Sequence, residues 1–197
     1  PIDVQLKHLR FPPAKPPQPV TANDSVPEVE EPDPLADVDP RQIPPLNLNI
    51  ERVYQGDALL GAWSLKARPN ANGVVFSEVQ MGLKGLQLEG DVGWEGAPGA
   101  TSSWFKGRIG GGNLADVLLA WNFAPTATSQ DFHMDIDGRW PGSPAWVSLK
   151  RFSGTLDPTL RKGQFVEAQG STAALRVFGL LNFNSIGRRL RLDFSDL

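Results

Sequence analysis

From Leu46 onward the chain reads as one strand after another. Leu46, Leu48 and Ile50 alternate with Asn47, Asn49 and Glu51, the period-two signature of a strand with one buried and one wet face. Leu59–Leu65, Gly73–Met81, Leu83–Trp94, Trp104–Ile109, Phe132–Trp140, Ala145–Leu156 and Gly163–Ala168 continue the series, with Gly, Pro and Asn turns between them. Residues 2–11 open the same way: Ile2, Val4 and Leu6 face Asp3, Gln5 and Lys7, before Leu9 and Phe11 reverse the phase. Two segments carry helical spacing instead. Asn113 is placed to cap a helix bearing Leu114, Val117, Leu118 and Trp121 on one stripe. Within Thr172–Leu181 the stripe is Leu175, Phe178 and Leu181. Beyond the breakers of 182–187, Leu190, Leu192 and Phe194 alternate with Arg189, Arg191 and Asp193. The pattern predicts an all-β chain with two short helices, near 113–121 and 172–181. Its meandering antiparallel strands would form a strongly curved, open sheet, although a closed sandwich would alternate similarly.

Residues 12–45 break the pattern. They hold 11 of the 18 prolines and the acids Asp24, Glu28, Glu30, Glu31, Asp33, Asp37 and Asp39. Such a stretch offers too little apolar surface to offset its ordering entropy, so it reads as a disordered insertion between a first strand, 1–11, and a β-rich body, 46–197. Within that body an eight-residue pattern, D-x-x-W-x-G-x-P, occurs at Asp91–Pro98 and again at Asp137–Pro144. In each copy a strand ends on Trp and turns through Gly and Pro, as a propagating antiparallel sheet would produce.

Charge and chemistry narrow the function mainly by exclusion. Lys and Arg total 19 against 22 Asp and Glu, a net charge of −3 with no basic stripe, which argues against a nucleic-acid partner. There is no Cys, so neither a disulfide framework nor a thiol nucleophile is available. Gly107–Asn113 is glycine-rich and precedes a helix, yet lacks the Gly-Lys-Ser/Thr ending of a phosphate-binding loop. Asp131, His133, Asp135 and Asp137 share one strand parity opposite Phe132, Met134 and Ile136, which fits a solvated face better than a metal site. Neither His8 nor His133 stands near a nucleophile motif. The expectation is a protein that is not an enzyme and needs no metal or cofactor.

The segment RVFGLLNFNSIGRRLRLDFSDL (176–197) resembles the C-terminal signature of the YhdP family, large AsmA-like proteins of the Gram-negative envelope. GRWPGSPAWVSLKRFSGTLDPTLRKGQF (138–165) is similar to that family's strand–Trp–turn pattern, and the resemblance covers roughly residues 70–197. The signature strand of the family runs on, and position 1 is Pro, so the chain is expected to be a fragment of a longer protein. The resemblance implies a taco-shaped β-groove within a larger repetitive β assembly, apolar inside and polar outside. It also implies intermembrane phospholipid transport by the periplasmic portion of an inner-membrane-anchored protein. Acyl chains would be the ligand, and membrane contact would come through other parts of the protein. Within that frame the alternating faces and the second helix nominate Leu86, Leu88, Phe132, Met134, Ile136, Val147, Leu149, Leu175, Phe178, Leu190, Leu192 and Phe194 as groove lining. The alternative is a dry, non-catalytic β-sandwich module of an envelope protein.

Overall fold

In a computed structural model, residues 1–13, 32–121, 127–148 and 150–165 are described. Strands β1 (Ile2–Leu6), β2 (Leu9–Phe11), β3 (Leu46–Gln55), β4 (Ala58–Pro69), β5 (Gly73–Leu83), β6 (Leu86–Ala97) and β7 (Ala100–Gly111) precede a short helix α1 (Leu114–Ala120). After it come β8 (Ala127–Thr128), β9 (Asp131–Pro141), β10 (Ser153–Arg161) and β11 (Gln164–Phe165). Nine strands make a single open, curved sheet in the order β1-β3-β4-β5-β6-β7-β9-β10, with β2 also pairing β3; β8 and β11 form a separate two-stranded ribbon. The expected open sheet is therefore observed, rather than two stacked sheets.

From β3 to β10 the pairing is antiparallel. Tight turns explain why neighbours in sequence are neighbours in the sheet. Lys84 and Gly85, both with positive φ, close β5 onto β6 as a two-residue hairpin. Curvature enters through register breaks on three adjacent strands: between Ile50 and Val53 on β3, between Leu59 and Gly61 on β4, and between Phe76 and Val79 on β5. Each inserts extra backbone on one strand, which bends it and raises the local twist. At the β5 break Glu78 holds a left-handed backbone, φ 52°. Its N–H donates to Asp91 (3.1 Å) and its carboxylate pairs with Lys66 (2.5 Å), which hold the bulge in place.

The phase reversal at Leu9 is the same bend seen from β1 and β2. Leu6 sits beside Ile50 and Leu9 beside Val53, so the reversal on one strand matches the bulge on its neighbour. Both pairings are parallel, which obliges the chain to return across the sheet before entering β3.

Two expectations need correction. Residues 32–45 belong to the stretch read as disordered, yet they lie as a strap against the sheet. A 3-10 turn at Pro40–Gln42, capped by the Asp39 carboxylate, brings Pro40 into a buried position, and Leu35 and Ile43 pack on Ala67, Val74 and Trp94. Proline there pre-sets turns that fit the surface, and a few apolar contacts suffice to seat them. Residues 14–31 lie outside the described residues. Second, 145–156 was expected to be strand throughout, but Pro144–Trp146 forms a 3-10 turn and strand begins only at Ser153. Ser148 O accepts from both Arg151 N and Phe152 N, and the Arg151 guanidinium stacks on the Trp146 ring at 3.8 Å, so local bonds outcompete the ladder. Of the expected strand Gly163–Ala168, Gln164–Phe165 is strand and 166–168 lie outside the described residues. The second expected helix, Thr172–Leu181, lies outside the described residues.

Candidate functional site: one apolar sheet face

Register lines carry one apolar face across the whole sheet. Leu86, Gly111 and Phe132 form one row across β6, β7 and β9, and Leu88, Ile109 and Met134 form the next. Ile136 continues to Leu156 on β10, and in the other direction Met81 and Trp63 continue the row of Leu88. Of the expected lining residues, Leu86, Leu88, Phe132, Met134 and Ile136 thus share one side. Val147 is not on a strand; it packs half-buried at the margin of the same cluster, from the turn after β9. Leu149, Leu175, Phe178, Leu190, Leu192 and Phe194 lie outside the described residues.

This face is covered at both ends and barer between. At the end that holds the Lys84–Gly85 turn, α1 buries Leu114, Val117 and Leu118 in one cluster with Leu83, Leu86, Ile109 and Phe132. Asn113 caps the helix by accepting from Ala115 N at 3.0 Å, and Ser129 Oγ accepts from Leu114 N at 3.2 Å. At the other end the 32–45 strap covers Ala67, Val74 and Trp94. Between the two covers Leu48, Leu65, Phe76, Met81, Leu88 and Val92 are only half-buried. Along β6 the gradation is direct: Leu86 and Trp94 are buried at either end, Leu88 and Val92 half-open in the middle.

Apolar side chains reach both edges of this face, with Phe105, Ile109, Met134 and Ile136 buried on β7 and β9 in between. Ile2 and Leu6 on β1, and Leu156 and Leu160 on β10, belong to the same rows and are exposed at 56%, 38%, 37% and 38%. Most of the band's members were not nominated from sequence as lining. Phe76 and Met81 have opposite parity, and only the Ser77–Glu78 bulge puts them on one face. Two consecutive polar residues inside an otherwise alternating strand were the available signal.

The opposite face is polar and ion-paired. Arg108 holds Asp135 through two bonds (2.7 and 3.1 Å), Lys106 lies 3.5 Å from Asp137, and Arg161 bonds Asp131. The Arg108 guanidinium, by hydrogen bond and then by charge, holds the Asp135 carboxyl below its ordinary range. An open depression of about 810 Å³ lies on this side, lined by Glu78, Gln80, Glu89, Asp91, Lys106 and Arg108 among others. Its main charges are exposed pairs, worth little individually. Asp131, Asp135 and Asp137, which could be read from sequence as a cluster, each answer a base on a neighbouring strand.

The two copies of D-x-x-W-x-G-x-P meet on one row. Trp94 pairs with Ser103 and Ser103 with Trp140, so the indoles flank one buried serine on the apolar side. Trp140 Nε1 donates to Ser143 O at 2.9 Å, whereas Trp94 Nε1 is buried with no acceptor among the described residues.

Neither a curated protein nor a solved structure matches the chain. A family model does, that of the YhdP protein, and it matches residues 1–197, well beyond the 70–197 stretch that carries the sequence resemblance. Family membership points to an AsmA-like envelope protein, in keeping with the open curved sheet. The chain belongs to the YhdP family.

Proposed function

We propose that the chain is a non-catalytic segment of a phospholipid conduit, whose apolar sheet face carries acyl chains across the periplasm between the inner and outer membranes. It would be the periplasmic part of an inner-membrane-anchored protein, with membrane contact made elsewhere in that protein. The observation that carries this reading is the half-buried band Leu48, Leu65, Phe76, Met81, Leu88 and Val92 between the two covers of the apolar face. A protein that needed only a dry core would gain by closing over that band.

The physics of the task matches. Each methylene in water costs about 0.8 kcal/mol, so two chains of roughly 30 methylenes in all cost about 24 kcal/mol fully exposed. The sheet's eight-position path spans about 34 Å at ~4.8 Å per strand. That is roughly twice the depth of one leaflet, taken as half of a ~30 Å hydrocarbon core. Apolar residues reach both edges, so an acyl chain lying across the strands meets methyl groups along the whole path. Transfer of this kind uses no cofactor, nucleophile or tuned pKa.

The test is to incubate the full chain with phospholipid vesicles, separate them by flotation, and quantify the lipid retained per chain. Met81→Glu places a charge in the band and should lower retention about tenfold or more, while Gln80→Glu on the opposite face should leave it unchanged. Equal retention by both variants, or none by the unsubstituted chain, would make the dry structural module the better account.

A further inference from the structure

The strap and the unpartnered indole beneath it belong together. Strap residues Leu35 and Ile43 pack on the cluster of Ala67, Val74 and Trp94, a continuation of the half-buried band through Leu65 and Phe76. Among the described residues the strap is tied to the sheet at the turns of both motif copies and, at its last residue, to β1, where Pro45 O accepts from Ile2 N at 2.8 Å. Asp33 accepts from Ser143 N (2.7 Å) and Ser143 Oγ (2.5 Å), and Ala36 O accepts from Gly99 N (2.9 Å). Little of the strap itself is deeply inserted: Pro40 is its one fully buried residue, while Leu35, Ala36 and Ile43 are half-buried.

Trp94 is 3% exposed and its Nε1–H has no acceptor among the described residues. A buried donor without an acceptor is destabilising, and such groups normally find partners. Every other indole known to be buried on a strand of this face, Trp63 and Trp140, donates to a backbone carbonyl. The seat around Trp94 therefore offers apolar walls and one neutral N–H. Its chemical complement is a neutral acceptor oxygen at the end of an aliphatic stem, as in the ester carbonyl of an acylated glycerol.

We propose that residues 32–45 are a displaceable strap over a second ligand seat, in which Trp94 Nε1 donates to the ester carbonyl of a glycerolipid whose chain lies along the band. This rests on the acyl-carrying reading above and adds a place and an orientation to it. With the strap seated, Leu35 and Ile43 occupy the position of the ligand's upper methylenes. With the Asp33–Ser143 latch released, the band is continuous from Leu88 to Trp94.

The chain contains no Cys, so a staple can be introduced cleanly. In the full chain, Asp33→Cys with Ser143→Cys joins two positions whose side chains already touch. A photoreactive phenylalanine analogue is placed at Phe76, next to the seat, or at Leu88, remote from it, and vesicles of phosphatidylethanolamine and phosphatidylglycerol supply the lipid. Oxidation should cut adducts at Phe76 at least fivefold and leave those at Leu88 unchanged, and reduction should restore them. In an unstapled Asp33→Ala background, Trp94→Phe keeps the ring but loses the donor, and should lower adducts at Phe76 about tenfold. Adducts at Phe76 that ignore the staple, or survive Trp94→Phe undiminished, overturn the strap-and-ester proposal while leaving the conduit standing. Absence of adducts at Leu88 in the reduced protein overturns the conduit itself.

Discussion

Trp94 and Trp140 hold the same place in two copies of one motif, in the same row of the same sheet, and they end in different states. Beyond Trp140 the chain leaves the sheet in a 3-10 turn, which brings the Ser143 carbonyl back to the indole N–H. Beyond Trp94 the chain stays in the ladder, with Ala97 paired to Ala100, and no carbonyl of the described residues returns to the indole. The motif therefore fixes where an indole sits but not whether it is satisfied; the connection after it decides that. One copy has become ordinary core. The other has kept an unused donor under a cover held by a handful of bonds.

The largest test of this contrast is a buried charge. Val74 is fully buried beside Trp94, so Val74→Asp should cost about 3–5 kcal/mol in a urea unfolding curve. Met81→Asp, half-exposed in the band, should cost less than half of that. Equal costs would mean that strap and band are sealed alike, and the distinction between seat and band would fall.

Next is the latch. Ser143 is fully buried, and Asp33→Ala leaves its N–H and hydroxyl without the acceptor they share. A loss of about 1–3 kcal/mol is expected, with faster hydrogen exchange at the Gly99 amide, which bonds the strap. Unchanged exchange at Gly99 would show that the strap is held by its apolar contacts instead.

A smaller difference should separate the indoles themselves. Trp140→Phe removes one of the two donors to the Ser143 carbonyl, which keeps only the Trp146 N–H at 3.0 Å, whereas Trp94→Phe removes a donor with no partner among the described residues. Trp140→Phe should therefore be the more destabilising by about 1–2 kcal/mol in parallel melts. Equal losses would mean that the Trp94 N–H is satisfied in solution.

The smallest effect is one of pH. Arg41, mainly by a side-chain hydrogen bond, lowers the Asp39 carboxyl from 3.8 to about 2 in the folded strap. A depressed folded pKa stabilises the fold above the unfolded value, and that contribution is lost as pH falls from about 4 towards 2. Asp39→Asn should flatten the acid limb of the melting profile slightly, and an unchanged limb would count against the capped turn.

Much of the sheet was legible because alternation is a local property: β3 to β7 and β9 follow from which residues are apolar. What escaped depended on partners distant in sequence. Phe76 and Met81 join one band with Leu65 and Val92 only because the bulge on β5 corrects their parity. The strap at 32–45 looks like linker by composition, and its order comes from Trp94, Val74 and Ser143, residues up to 110 positions away. Val147 was read as strand because apolar residues surround it, but Pro144 and the Arg151–Trp146 stack turn the chain there.

The central claim is that acyl chains lie on one face and not the other. Leu88 and Glu89 are neighbours on β6 that point to opposite sides, half-buried and exposed respectively. Photoreactive residues introduced singly at these positions in cells, followed by mass spectrometry of the adducts, compare the two faces within one strand. The account predicts phospholipid adducts at Leu88 and none at Glu89; equal labelling at both, or none at Leu88 in a folded protein, would contradict it.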